Sequence, residues 1–195
     1  MTARTGMSVM IETLRGFCNA GTNDATIGTT VYWSDDEVQR VLDRHKTHII
    51  REELTPFEIY TGAGTIEYLE YRSAFGNIES GTAVFEIEAG DGSTIGTSTY
   101  AGNYPEGIFT FTSDQVGSAR YMTGYTYDIY AAAADIWQMK MTQVASGVDF
   151  TTDNMRVNRG QLIKNYKDMY DFYIRKAGAP VFNFTRDDST ILGDW

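Results

Sequence analysis

Two stretches of helical periodicity, separated by a short polar segment, occupy Tyr125–Lys176. Residues on one side of an α-helix recur every three or four positions, and both stretches show this spacing. The first stripe consists of Ile129, Ala133, Ile136, Trp137, Lys140 and Val144, and the second of Leu162, Ile163, Tyr166, Met169, Tyr170 and Tyr173. Each stripe is wide enough to need a partner helix. The segment therefore predicts an antiparallel helical hairpin, with Asn158 as the N-cap of its second helix and Gln161 at position N3.

The composition indicates one folded domain with an acidic surface. The chain has 195 residues, of which 42% are hydrophobic and 13% aromatic, and its formal net charge is −10. Such a charge argues against a protein that holds nucleic acid through a basic surface, because that affinity comes largely from Lys and Arg. An acidic wall would instead let DNA slide past without sticking.

Cysteine content and hydropathy indicate the compartment. The single cysteine, Cys18, excludes an internal disulfide and a zinc site built from several cysteines. The first residues contain no apolar signal region, and nowhere do about 18 apolar residues run together. We therefore expect a soluble protein made in a reducing cytoplasm, without a membrane partner.

Residues 1–56 are expected to form the first helices of a bundle. One short helix begins near Ser8. Another begins at Ser34, because Ser34 fits the N-cap, Glu37 fits position N3, and carboxylates favour the first turn. The apolar side of this second helix consists of Val38, Val41, Leu42, His45 and Ile49. Pro56 is expected to end it.

Residues 57–124 change to a period of two, which is typical of half-buried strands. The strand candidates are Ile66–Tyr71, Ala83–Glu88, Gly107–Thr112 and Arg120–Thr123, and Gly90–Gly92 predicts a tight turn. With residues 125–177 as the helical hairpin, the expected fold class is α+β, a mainly helical bundle with an inserted antiparallel β element. Residues 178–195 are expected to form an extended C-terminal tail.

The sequence predicts neither an enzyme nor a cofactor or metal site. His45 and His48 are three apart on the predicted helix, and a metal would need further ligands. Glu86 and Glu88 lie on one strand face and are interpreted as its solvated side rather than as an acid/base pair. Four tyrosines near the strand-to-helix junction could stack sugars or bases, although aromatics there more often pack the joint. They are Tyr121, Tyr125, Tyr127 and Tyr130.

Several short segments resemble the head–tail connector (adaptor) proteins of tailed bacteriophages. They are Trp33–Glu37, Leu42–His45, Tyr127–Trp137, Asp149–Asp153 and Arg159–Leu162. In that family a capped helix leads to a variable β insertion, and a helix rich in small residues, a turn and a final helix complete a compact bundle. The resemblance implies a structural virion protein without catalytic activity.

The resemblance also implies partners and a location. The subunits would form a homo-oligomeric ring, a dodecamer in that family, between the portal protein and a head-closure or tail-terminator protein. Genomic double-stranded DNA would pass through the lumen without sequence-specific binding. The protein would be assembled in the host cytoplasm and would reside in the virion, in the neck at the head–tail junction.

Two sets of residues take their expected roles from this resemblance. Aromatic side chains of the tail would anchor it on the portal or on a neighbouring subunit, and they are Phe182, Phe184 and Trp195. Residues of the hairpin would pack subunits together, and they are Ala131, Ala134, Trp137 and Tyr170. Small side chains let helices approach closely, within the bundle or between subunits.

Three alternatives stay open. The chain could be another neck or tail component, such as a head-closure or tail-completion protein. It could be a small ligand- or carbohydrate-binding module built on the Tyr- and Thr-rich β block. It could also be a hydrolase that uses His45 or His48 with nearby carboxylates.

Overall fold

The computed structural model describes residues 3–22, 25–27, 30–60, 64–146, 151–152, 155–156 and 159–178. The α-helices are α1 Ser8–Cys18, α2 Asp35–Arg44, α3 Ile129–Ser146 and α4 Arg159–Lys176, and short 3₁₀ turns cover Thr5–Met7 and Thr97–Thr99. The strands are β1 Ala25–Ile27, β2 Thr30–Tyr32, β3 Lys46–Tyr60, β4 Ile66–Arg72, β5 Glu86–Ala89, β6 Thr94–Ile95, β7 Tyr100–Asn103, β8 Ile108–Phe111, β9 Arg120–Tyr127, β10 Thr151–Thr152 and β11 Met155–Arg156.

Seven of these strands form a curled antiparallel sheet in the order β6-β5-β9-β3-β4-β8-β7. The other four form two small hairpins, β1-β2 and β10-β11. The sheet is a major body of the fold with a core of its own, and the four helices lie beside it. The predicted fold class, a mainly helical bundle with an inserted β element, is therefore wrong. From residue 179 onward, the predicted extended tail lies outside the described residues.

The helices share one core, to which α1, α2 and α3 contribute most of the buried side chains. Its members include Met10, Leu14, Trp33, Val38, Leu42, Ala132, Ala133, Ala134, Ile136 and Tyr173. The predicted start of α2 is confirmed, since the Ser34 hydroxyl accepts a hydrogen bond from the Glu37 backbone N at 3.3 Å. Three acidic residues occupy the first turn of this helix, where the helix dipole favours them.

The helices α3 and α4 pack as an antiparallel pair, which confirms the predicted hairpin. Trp137 contacts Tyr166 with ring centroids 5.3 Å apart, and Tyr130 contacts Tyr173 at 6.4 Å. The residue numbers rise along α3 as they fall along α4, so the two helices run in opposite directions. The predicted N-cap of α4, Asn158, lies outside the described residues.

The central strand β3 is 15 residues long and contains a β-bulge. Between Ile49 and Glu52 its register with β9 shifts, so that two residues oppose Thr123 alone. One of them, Arg51, has φ +50°, and its backbone N donates to the Thr123 hydroxyl at 3.1 Å. The extra residue lets Ile49 and Leu54, five positions apart, both enter the core of the sheet.

This bulge explains why the predicted helix through Ile49 to Pro56 is wrong. The helix ends at Arg44 and the strand begins at Lys46. A bulged strand does not alternate strictly, and the spacing of His45 and Ile49 imitates one side of a helix. Pro56 lies within β3 beyond the part paired with β9. Only one edge of the strand is paired there, so the missing N–H is tolerated.

The predicted strands agree with the structure more closely than this predicted helix does. The candidates beginning at Ile66 and Gly107 correspond to β4 and β8, and the one beginning at Arg120 corresponds to β9, which is longer than expected. The candidate Ala83–Glu88 is confirmed only from Glu86 onward, because residues 82–84 form a turn. The turn at Gly90–Gly92 connects β5 to β6, as predicted, and Gly92 has φ +85°.

The sheet has its own core, separate from the helical one. It consists of Ile49, Leu54, Tyr71, Ile78, Phe85, Ile87, Tyr100, Phe109, Phe111 and Met122. Aromatic rings dominate it, and Phe85 stacks on Phe109 with centroids 5.2 Å apart. Two cores within one chain of this size have to be held together at their boundary.

The N-terminal segment crosses that boundary in close contact with the loop after β4. A Cβ atom added at Gly6 would overlap the carbonyl oxygen of Ser80. We expect Gly6→Ala to lower the free energy of unfolding by about 1–3 kcal/mol, because the backbone must move to admit a methyl group. Thermal or urea unfolding of the purified variant would measure this.

Gly16→Ala is the matched control for this prediction. A Cβ at Gly16, in the last turn of α1, meets nothing within 4 Å, so alanine should raise stability by about 0.5–1 kcal/mol through its better helix propensity. Equal effects of the two substitutions would contradict close packing at Gly6.

Candidate functional site at the junction of helices and sheet

Both connections between the helical core and the sheet run through one place. The chain passes from α2 into β3 at His45 and from β9 into α3 at Asp128. The Asp128 backbone N donates to the His45 carbonyl at 3.1 Å, and its side chain accepts from the Ala131 backbone N at 2.9 Å. Asp128 therefore caps α3 while holding the two connections together.

Arg4 binds groups from three different elements at this junction. Its Nη2 donates to Asp43 Oδ1 at 2.6 Å and its Nε to Glu79 Oε1 at 2.6 Å. The same guanidinium donates to the Tyr127 hydroxyl at 3.1 Å, and that hydroxyl donates to Glu79 Oε2 at 2.5 Å. The Arg4 backbone N also donates to Gln39 Oε1 at 2.6 Å. We call Arg4, Gln39, Asp43, Glu79 and Tyr127 the junction network.

The electrostatics of this network follow from the burial of Glu79. Its side chain is 3% exposed, whereas that of Arg4 is 39% exposed. The hydrogen bond to Asp43, with a further contribution from Glu79, holds the pKa of the Arg4 guanidinium above its ordinary value, although burial acts in the opposite direction. Burial and the adjacent Glu79 carboxylate raise the pKa of the Tyr127 hydroxyl, so it stays protonated and donates.

The two histidines lie on different elements, so the prediction that they share one helix is wrong. His45 caps the C-terminal end of α2, and its Nε2 lies 2.9 Å from Asp135 Oδ2 of α3. His48 lies in β3 and stacks on Tyr125 with centroids 4.7 Å apart. Within the residues that the structure describes, no group of three or more His, Cys, Asp or Glu side chains could hold a metal ion.

The four tyrosines of the junction occupy separate environments. Tyr121 lies under the Arg51 guanidinium at 4.9 Å, and Tyr125 contacts His48. Tyr127 belongs to the junction network. Tyr130 stacks on Phe17 at 5.5 Å. Since the four rings lie in four different environments, they do not form one stacking platform.

An open cleft lies beside the joint, with a volume of about 280 Å³. It is lined mainly by polar groups, among them Thr47, Asn77, Thr126, Asp128 and Lys176. Hydrogen bonds already engage Thr126, whose hydroxyl donates to the Gly76 carbonyl at 2.5 Å. The cleft marks the place where the C-terminal end of α4 approaches the sheet.

The residues expected to pack subunits together lie in or beside the helical core. Ala134 has no exposed surface, Trp137 is 7% exposed, and Ala131 and Tyr170 are half-buried. Burial within one chain already explains a small side chain at Ala134, and packing between subunits stays a prediction. The predicted tail anchors Phe182, Phe184 and Trp195 lie outside the described residues.

Glu86 and Glu88 are half-buried on the face of β5, and Glu88 lies 3.8 Å from the Arg51 guanidinium. This position agrees with the partly solvated sheet face expected for them.

The junction network itself was missed by the sequence analysis. Its members lie 35 to 123 residues from Arg4, so no local motif joins them.

Comparison with known proteins does not assign the chain to a family. No protein-family model matches the chain, and no curated protein matches it. Across the described part of the chain, the helices are too short or too polar to cross a membrane.

We expect Arg4→Met to lower the free energy of unfolding by about 2–3 kcal/mol, because Glu79 would stay buried without its cation. Denaturant unfolding measures the loss. The double variant Arg4→Met with Glu79→Gln should recover part of it, because the buried charge is then removed as well.

Arg40→Met serves as the control for this prediction. The Arg40 side chain is 61% exposed and pairs only with Glu37 within the contacts described, so its removal should cost less than about 0.5 kcal/mol. A loss at Arg4 no greater than that at Arg40 would mean that the junction network does not stabilise the fold.

Proposed function

We propose that the chain is a structural virion protein, the subunit of a head–tail connector ring in a tailed bacteriophage. The order of elements carries the proposal. Two helices, α1 and α2, pack with a later hairpin, α3 and α4, around one core, and the sheet connects α2 to α3. This is the order that the resemblance to connector proteins implies, with a β region larger than expected.

The joint between the two cores supports a mechanical role. A subunit between two rings has to keep its binding surfaces in fixed relation while DNA passes. Here the helices and the sheet are held together by three features: the junction network, the capping residue Asp128 and the Gly6–Ser80 contact. Such a joint favours a rigid subunit over one that closes around a substrate.

The charge of the chain is consistent with a DNA channel. A net charge of −10 would repel the phosphate backbone and would allow DNA to pass without being held. The proposed partners are the portal protein on one side and a head-closure or tail-terminator protein on the other. The proposed location is the neck of the virion.

A portal protein from the same genome as this chain would provide the test. Mixed with it, the purified chain should form a complex with many copies of the chain per portal ring, measured by mass photometry and seen as an added ring by electron microscopy. A chain that stays monomeric at every ratio to portal would reject the connector function.

Truncation after Ala177 tests the predicted anchoring by the tail. The last described helix, α4, ends at Lys176, so the truncated chain keeps both cores and should unfold with nearly unchanged stability. Its binding to portal should be lost if Phe182, Phe184 and Trp195 are the anchors. Unimpaired binding would remove the tail from the proposal and would leave the ring to other surfaces.

A further inference from the structure

The distal end of the β3–β4 hairpin exposes an apolar pair beside a fixed carboxylate. Tyr60 and Ile66 are directly opposite each other, so their side chains lie on the same face. They are 71% and 42% exposed. The hydroxyls of Tyr60 and Tyr68 donate to the two oxygens of Glu58, at 3.2 and 3.3 Å. The Glu58 carboxylate is thereby held next to the apolar pair.

This end of the hairpin is acidic. Residues 53–70 contain four glutamates and neither Lys nor Arg. The negative charge of Glu58 raises the pKa of the Tyr68 hydroxyl, which agrees with their contact. A partner for this surface should offer apolar side chains and a cation.

One side of α4 has these properties. Ile163, Lys167, Tyr170 and Ile174 recur at helical spacing, and Tyr170 also packs partly against the helical core. Ile174 is 42% exposed, Lys167 is exposed, and Ile163 and Tyr170 are half-buried. The helix as a whole contains five Lys or Arg and two Asp. The helix is thus basic overall within an acidic protein, and this side of it is partly apolar and carries one cation, Lys167.

The two surfaces lie at opposite ends of the long strand β3. Its first residues lie at the joint, near the C-terminal end of α4, and its last residues form the distal end of the hairpin. At about 3.3 Å per residue, the 15 residues of β3 span about 45 Å. One chain cannot bring these surfaces together, whereas two chains can.

We propose that the distal β3–β4 hairpin of one subunit docks on α4 of the next copy, with Tyr60 and Ile66 against Ile163, Tyr170 and Ile174. Glu58 then pairs with Lys167 of the neighbouring copy. Because two different surfaces meet, the contact is heterologous and repeats around a ring. The inference rests on the proposed function and deepens it by naming the contact that closes the ring.

Engineered cysteines test this contact, because the only native cysteine, Cys18, is fully buried. Under mild oxidation, the full chain carrying both Tyr60→Cys and Ile174→Cys should give a ladder of covalent oligomers on a denaturing gel. A mixture of the two single variants should give a covalent dimer, and each single variant alone should stay monomeric. Absence of the ladder, or dimers from one single variant alone, would overturn the proposed contact.

Charge exchange tests the ion pair. Glu58→Lys and Lys167→Glu, each added to the double-cysteine chain, should reduce the rate of oligomer formation about tenfold. The two together should restore it. Glu67→Lys makes the same charge change on the other face of the hairpin, opposite Ile59, and should have little effect. Failure of the exchange to restore oligomers would reject the Glu58–Lys167 pair.

The outcome of the cysteine cross-linking can be distinguished from that of the portal experiment. A ladder from a chain that does not bind portal would keep the contact and reject the connector function. Portal binding without a ladder would keep the function and reject this contact in favour of another surface.

Discussion

The joint between helices and sheet depends on the neutralisation of one buried carboxylate. Glu79 is almost fully enclosed, and its charge is tolerated there because the Arg4 guanidinium and the Tyr127 hydroxyl both bind it. Arg4 comes from the N-terminal segment, Glu79 from the loop after β4, and Tyr127 from the end of β9. Folding of either core alone would leave this network incomplete. The N-terminal segment therefore belongs to the joint, although it contributes little to either core.

The strand β3 gives the sheet its length and its curvature. Its first half pairs with β9 and its second half with β4, so one strand connects two parts of the sheet. The bulge at Arg51 accommodates the change and keeps Ile49 and Leu54 in the core. The same strand carries the distal hairpin far from the helices. The separation of the two surfaces proposed to meet in a ring thus follows from a single strand.

Local signals predicted what local interactions determine. The capping serine Ser34, the strands at β4 and β8, and the α3–α4 hairpin follow from short-range chemistry and periodicity, and the structure confirms them. The helix expected through Ile49 failed because pairing with β9, more than seventy residues away, overrides a weak helical spacing. The predicted balance of helix and sheet was wrong for the same reason. The Arg4–Glu79 pair could not be predicted from the sequence, since no sequence feature near either residue indicates the other.

The proposed role as a connector subunit requires that the two cores move as one body. Native-state hydrogen exchange at low denaturant measures this most directly, by comparing the best protected amides of α3, such as Ala133, with those of β9, such as Met122. If the junction network unites the cores, both sets should exchange with the same opening free energy and the same denaturant dependence. Exchange of the helical amides at a clearly lower free energy than those of the sheet would show that the cores unfold separately, and would contradict a rigid joint.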